Sequence, residues 1–200
     1  MISGHRPRRA ESRLARLAAA IVAACLPALA WGAWDVGALM SLLAKNPPGN
    51  ATYSEIKHLA LLDAPVESSG ELRFVPPRYL ERRTTAPGRE VLIADGDSLV
   101  LERGGRRMTL SMRDQPEIAV LVESIRATLA GDRGTLETLH ALSVAGGIEG
   151  WTLTLLPRVP AAARLVTRID VSGKQARIHR IEIQMVGGDR SLMLIRKAGP

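Results

Sequence analysis

Residues 68–85 read SSGELRFVPPRYLERRTT, and the folding of this stretch decides the reading of the whole chain. Leu72 and Phe74 alternate with Glu71 and Arg73, the period of a strand with one apolar face and one wet face. Proline lacks a donor for a sheet ladder, so Pro76–Pro77 ends that strand and Tyr79 to Thr85 begins another. Working outward, EVLI at 90–93 and SLVLE at 98–102 flank ADGD, while RGGR leads into Met108, Leu110 and Met112 alternating with Thr109 and Ser111. Asp-Gly and Gly-Gly between apolar runs make hairpin turns, because both turn positions need positive φ. The neighbouring strands are therefore expected to be antiparallel, with Thr52 to Leu62 as a further strand upstream.

The rest of the chain supplies helices and more strands. Val36, Leu39, Met40 and Leu43 form one helical stripe in residues 34–45, stopped by NPPGN. Ile118, Leu121, Val122, Ile125 and Leu129 share a second helical face, with Asp114 offered as a cap and Gly131 as an end. A short helix is expected over Thr135 to Leu142. Trp151, Leu153 and Leu155 then alternate with threonines, and Ile181, Ile183 and Met185 with Glu182 and Gln184. RLVTRIDVSG lies between these two stretches, and RSLMLIR follows them. About nine or ten one-sided strands must hide their oily faces by curling or by taking a cover. The expected fold is α+β, mainly β: a strongly curved antiparallel sheet, an unclosed β-barrel, with a helical lid over a hydrophobic cavity.

Residues 5–16, HRPRRAESRLAR, carry five arginines and one glutamate and precede the uncharged run LAAAIVAACLPALA at 17–30. A basic start, a short apolar run and a small-x-small end compose a secretory signal peptide over 1–30, cleaved after Ala30. A retained membrane anchor is the alternative, although a spanning helix needs about twenty apolar residues. Those thirty residues hold four of the seven net positive charges, leaving +3 on residues 31–200, which form a single domain. The nucleic-acid reading invited by a pI of about 10.4 loses its main support. Cys25 is the sole cysteine. Its context VAAC resembles a lipobox, but LPALAWGAW after it is not a polar tether, and loss with the leader removes disulfide and thiol chemistry.

The stretch from 68 to 102, SSGELRFVPPRYLERRTTAPGREVLIADGDSLVLE, resembles the signature of the LolA family of periplasmic carriers of outer-membrane lipoproteins. The order of elements agrees over about residues 34–130, and more loosely beyond. The resemblance implies a periplasmic carrier that shields acyl chains of lipoproteins or related lipids for transfer towards the outer membrane. It implies an inner-membrane donor and an outer-membrane acceptor, no cofactor, no metal and a monomer. Alternatives within the same fold are an outer-membrane-tethered lipoprotein receptor lipidated at Cys25, or a carrier of acyl or aryl-polyene lipid. The cavity wall is assigned to Leu72, Phe74, Leu99, Leu101, Met108, Leu110, Trp151, Leu153 and Leu155, and the lid to Ile118, Leu121, Val122, Ile125 and Leu129. Where the family has an arginine before the motif proline, this chain has Val75, so Arg73 or Arg78 is the candidate to tie the lid.

Other constellations carry little chemistry. Asp95 and Asp97 read as a turn, because no further spaced carboxylates follow for calcium. His58, His140 and His179 lack metal-ligand spacing and read as surface or half-buried side chains. Ser68, Ser69 and Ser98 lack a nucleophile elbow, so no enzyme is expected. Arg82–Arg83 and Arg106–Arg107 read as solvated strand edges, with contact to acidic lipid or a membrane partner as the minor alternative.

Overall fold

The computed structural model describes residues 34–198, so the expected leader, its cleavage site and Cys25 lie outside the described residues. Helix α1 (Val36–Leu43) starts where the Asp35 carboxylate accepts the Ala38 N–H at 2.8 Å, and it buries Leu39, Met40 and Leu43. Six strands follow as a meander: β1 (Gly49–His58), β2 (Val66–Val75), β3 (Tyr79–Ala86), β4 (Glu90–Asp95), β5 (Ser98–Arg103) and β6 (Arg106–Ser111). A 3₁₀ turn (Met112–Asp114) then leads into α2 (Pro116–Ala130) and α3 (Arg133–Leu139). The chain continues as β7 (His140–Gly147), β8 (Gly150–Pro157), the short α4 (Pro160–Ala163), β9 (Val166–Lys174), β10 (Arg177–Met185) and β11 (Arg190–Lys197).

The eleven strands form one antiparallel sheet in the order β6-β5-β4-β3-β2-β1-β11-β10-β9-β8-β7. Its edges, β6 and β7, do not pair, and α2 and α3 carry the chain between them. Curvature follows from what α2 touches. Leu121 and Ala127 join the cluster that contains Leu153 and Leu155 of β8, whereas Val122 joins Ala94 and Leu99 of β4 and β5. A flat sheet would set β5 and β8 about 38 Å apart, at ~4.8 Å per strand, yet a helix is only about 10–12 Å across. The sheet must therefore curl around the helix, as an unclosed barrel with a helical lid.

Several local expectations shift. Asp114 does not cap α2: Gln115, kept out of the helical region ahead of Pro116, takes the N-cap position without a side-chain bond. Gly131 does end α2 in the left-handed conformation, and a side chain there would overlap the Met40 carbonyl and Ala44 at the end of α1. The neighbouring Asp132 caps α3, accepting the Thr135 N–H at 3.0 Å. The helix expected to reach Leu142 stops at Leu139, because Leu142 and Val144 find better partners opposite Leu155 and Leu153 on β8. That added strand helps bring the sheet to eleven rather than nine or ten.

Candidate functional site

Cross-strand partners in an antiparallel sheet point to the same side, so the register can be followed from strand to strand. It joins Met108 to Leu101, Leu101 to Leu92, Leu92 to Arg82 and Arg82 to Leu72. From β2 it runs through Ser68, Glu55, Met193, Ile181 and Val171 to Leu153. All nine wall candidates thus fall on the concave face. Their surroundings differ. Trp151 and Leu153 are covered in a cluster with Leu39, Met40 and Leu43 of α1. Leu99 and Leu110 pack with Val122 and Ile118 of α2. Leu72, Phe74 and Leu101 are half-buried, and Met108 is exposed.

Between α2 and strands β8–β10 lies a cleft lined by Leu121, Ile125 and Leu129 on the helix and by Leu155, Ile169 and Ile181 on the sheet, among others. Its unfilled space is about 380 Å³ including the opening to solvent, and little of it is wide enough for more than a water-sized occupant. The hollow expected from the sequence is therefore mostly filled by the lid. Ile169 of β9 and Ile181 of β10 were missed as wall residues, although the Ile181–Ile183–Met185 alternation marked the second strand.

The lid is held by few polar contacts. On one flank Arg126, only 5 % exposed, donates from Nη1 to the Gly96 carbonyl at 2.9 Å, across to the ADGD turn. Among the described residues its Nε and Nη2 have no hydrogen-bond partner, and Glu123 is 3.7 Å from Nη1. The same turn is bound by Arg113 to Asp97 at 2.6 Å. On the other flank Ser124 Oγ lies 2.7 Å from His140 Nε2, and Arg164 reaches Glu117 at 3.0 Å. His140 is not a surface side chain: it is 1 % exposed, and burial holds its pKa below the ordinary value of 6.5.

The family model for "Outer membrane lipoprotein carrier protein LolA-like" matches residues 28–199. The chain belongs to the LolA-like family. No curated protein matches the sequence. Among solved structures, the LolA superfamily protein NE2245 from Nitrosomonas europaea is 8% identical, with a TM-score of 0.46 over 84% of this chain and 96% of that one. The lipoprotein LppX of Mycobacterium tuberculosis is 12% identical, with a TM-score of 0.42 over 80% and 92%. The Pseudomonas aeruginosa MucA/MucB complex is 11% identical, with a TM-score of 0.46 over 82% and 58%.

Within this LolA-like frame, Val75 closes β2 opposite Tyr79. Arg73 lies on the outer face, its guanidinium 5.7 Å from the Tyr79 ring centroid. Arg78 lies against Gly96, where a side chain would overlap its guanidinium. Among the described residues neither arginine bonds to α2, whereas Arg126 bonds from α2 to the turn between β4 and β5. Nothing in the periodicity singled out Arg126, which sits beside the apolar stripe it helps to fasten.

Arg82 is also not a solvated edge residue. β3 lies inside the sheet, and Arg82 shares the concave face with Leu80. Its Nη2 meets Glu55 at 2.5 Å, and its Nε donates to Tyr53 Oη at 3.0 Å. The Tyr53 and Thr84 hydroxyls are bonded at 2.7 Å across Gly70, the one inward position of β2 without a side chain to block the ring.

Proposed function

We propose that this LolA-like chain is a periplasmic carrier whose concave face is occupied in turn by α2 and by the acyl chain of a lipoprotein or related lipid. It would receive its load from an inner-membrane donor and pass it to an outer-membrane acceptor. The observation that carries the reading is the cleft under α2, walled on both sides by aliphatic side chains and already open at its mouth. Each methylene removed from water is worth about 0.8 kcal/mol, so a chain of a dozen carbons gains on the order of 10 kcal/mol by entering. The enclosed space of the closed form does not admit such a chain, so entry requires α2 to lift. Refilling by α2 on release lowers the net affinity, which lets the cargo leave. Arg126 on Gly96 is assigned the role of lid tie, in place of Arg73 or Arg78.

Isolation of the protein from its native periplasm, followed by lipid extraction and mass spectrometry, tests the proposal, together with titration of a fluorescent acyl probe. Stoichiometric acyl lipid and saturable probe binding are expected. Absence of both, with probe fluorescence no higher than over lysozyme, would refute it.

A further inference from the structure

The concave face carries a polar seam between its two apolar clusters. Across β11, β1, β2 and β3, the inward positions include Ser191, Lys57, Glu55, Tyr53, Ser68, Arg82 and Thr84. Glu55 is 4 % exposed and accepts from Ser191 Oγ at 2.6 Å, from Arg82 at 2.5 Å and from Ser68 Oγ at 3.2 Å, with Lys57 Nζ 3.6 Å away. Burial by itself would raise the Glu55 pKa, but the Ser191 hydrogen bond and the charges of Arg82 and Lys57 outweigh it and hold the carboxyl below its usual range.

The charges do not balance. One enclosed carboxylate faces two cations, and those cations keep the exposure: 23 % for the Arg82 side chain and 34 % for Lys57. A structural ion pair would need only Glu55 and Arg82. The second cation leaves an excess of one positive charge on an inner face, available to something arriving from the concavity.

The seam is continuous with the cleft. Ile183 of the cleft wall is paired with Ser191, which is paired with Lys57, and Ile181 is connected through Met193 to Glu55. The step from β10 to β1 is two strand intervals, about 10 Å. One amphiphile can therefore place a hydrocarbon chain under α2 and its polar end on the seam.

We infer that Arg82 and Lys57 form a headgroup subsite for an acidic amphiphile, receiving a carboxylate or phosphate oxygen while the chain lies in the cleft. This rests on the carrier reading above and adds the charge class of its cargo. Calorimetric titration of the full chain with dodecanoate, dodecyl phosphate and dodecanol tests it. The expected result is about tenfold or more preference for an anion over the alcohol, weakening with added salt. The tighter of the two anions identifies a carboxylate or a phosphate as the natural group. Lys57→Met, at a half-exposed position, removes the excess positive charge and should collapse the anion-to-alcohol ratio. Equal affinity of the wild type for all three ligands, or an undiminished ratio in Lys57→Met, overturns the subsite and leaves the carrier reading standing. Binding of none of the three removes the carrier reading itself.

Discussion

Ile125 faces the cleft from α2, across from Leu155, Ile169 and Val171. Replacing it by alanine removes three carbons, worth about 0.8 kcal/mol each when wholly buried. Ile125 is half-buried, so about 1.2 kcal/mol is lost from the closed form. If α2 and an acyl chain compete for one wall, this loss falls on the closed form alone. Acyl affinity should then rise by roughly sevenfold, since about 1.4 kcal/mol is tenfold. The unliganded Tm should fall by roughly 3 °C. Titration with a fluorescent acyl probe and thermal unfolding in the same buffer read both quantities. Opposite signs are the signature of competition. If affinity instead falls several-fold together with Tm, Ile125 holds the cargo rather than excluding it, and the reasoning is refuted.

Arg126→Ala removes the charge-assisted bond to the Gly96 carbonyl, worth about 1.5 kcal/mol. Acyl affinity should rise by about tenfold in the same titration, and an unchanged affinity removes Arg126 as the tie. His140 is buried with its pKa depressed, so the folded state binds its proton less well than the unfolded chain does. Its contribution is complete above the unfolded value of 6.5 and is lost as pH falls from there through the folded pKa. Chemical denaturation between pH 7 and 5 should show the wild type losing stability more steeply than His140→Gln, and parallel curves would contradict the assignment.

The strands were legible because each carries a strict alternation, and the turns because Asp-Gly and Gly-Gly leave few conformations. That alternation also placed Leu72, Phe74, Leu101 and Leu153 on one face without knowledge of the register. Long-range convergence was not legible. Glu55 and Arg82 stand 27 residues apart, and only the pairing of β1, β2 and β3 brings them to 2.5 Å. Read locally, Arg82 in LERRTT looks solvated, although Leu80 shares its parity and therefore its face. His140 was misread for a related reason: the Ser124 opposite it lies on a helix whose apolar stripe drew the attention. The size of the hollow was beyond periodicity altogether, because a stripe specifies which side chains face inward and not how closely two stripes approach.

Alternate occupation of one wall by α2 and by cargo is tested most directly by a distance. Spin labels on cysteines placed at Glu123 of α2 and Thr109 of β6, in a Cys25→Ser chain, report the lid against the sheet, and labels at Thr109 and Arg196 report the sheet alone. Saturation with dodecanoate should lengthen the first distance by several ångströms and leave the second unchanged. Stoichiometric binding with both distances unmoved would contradict the account.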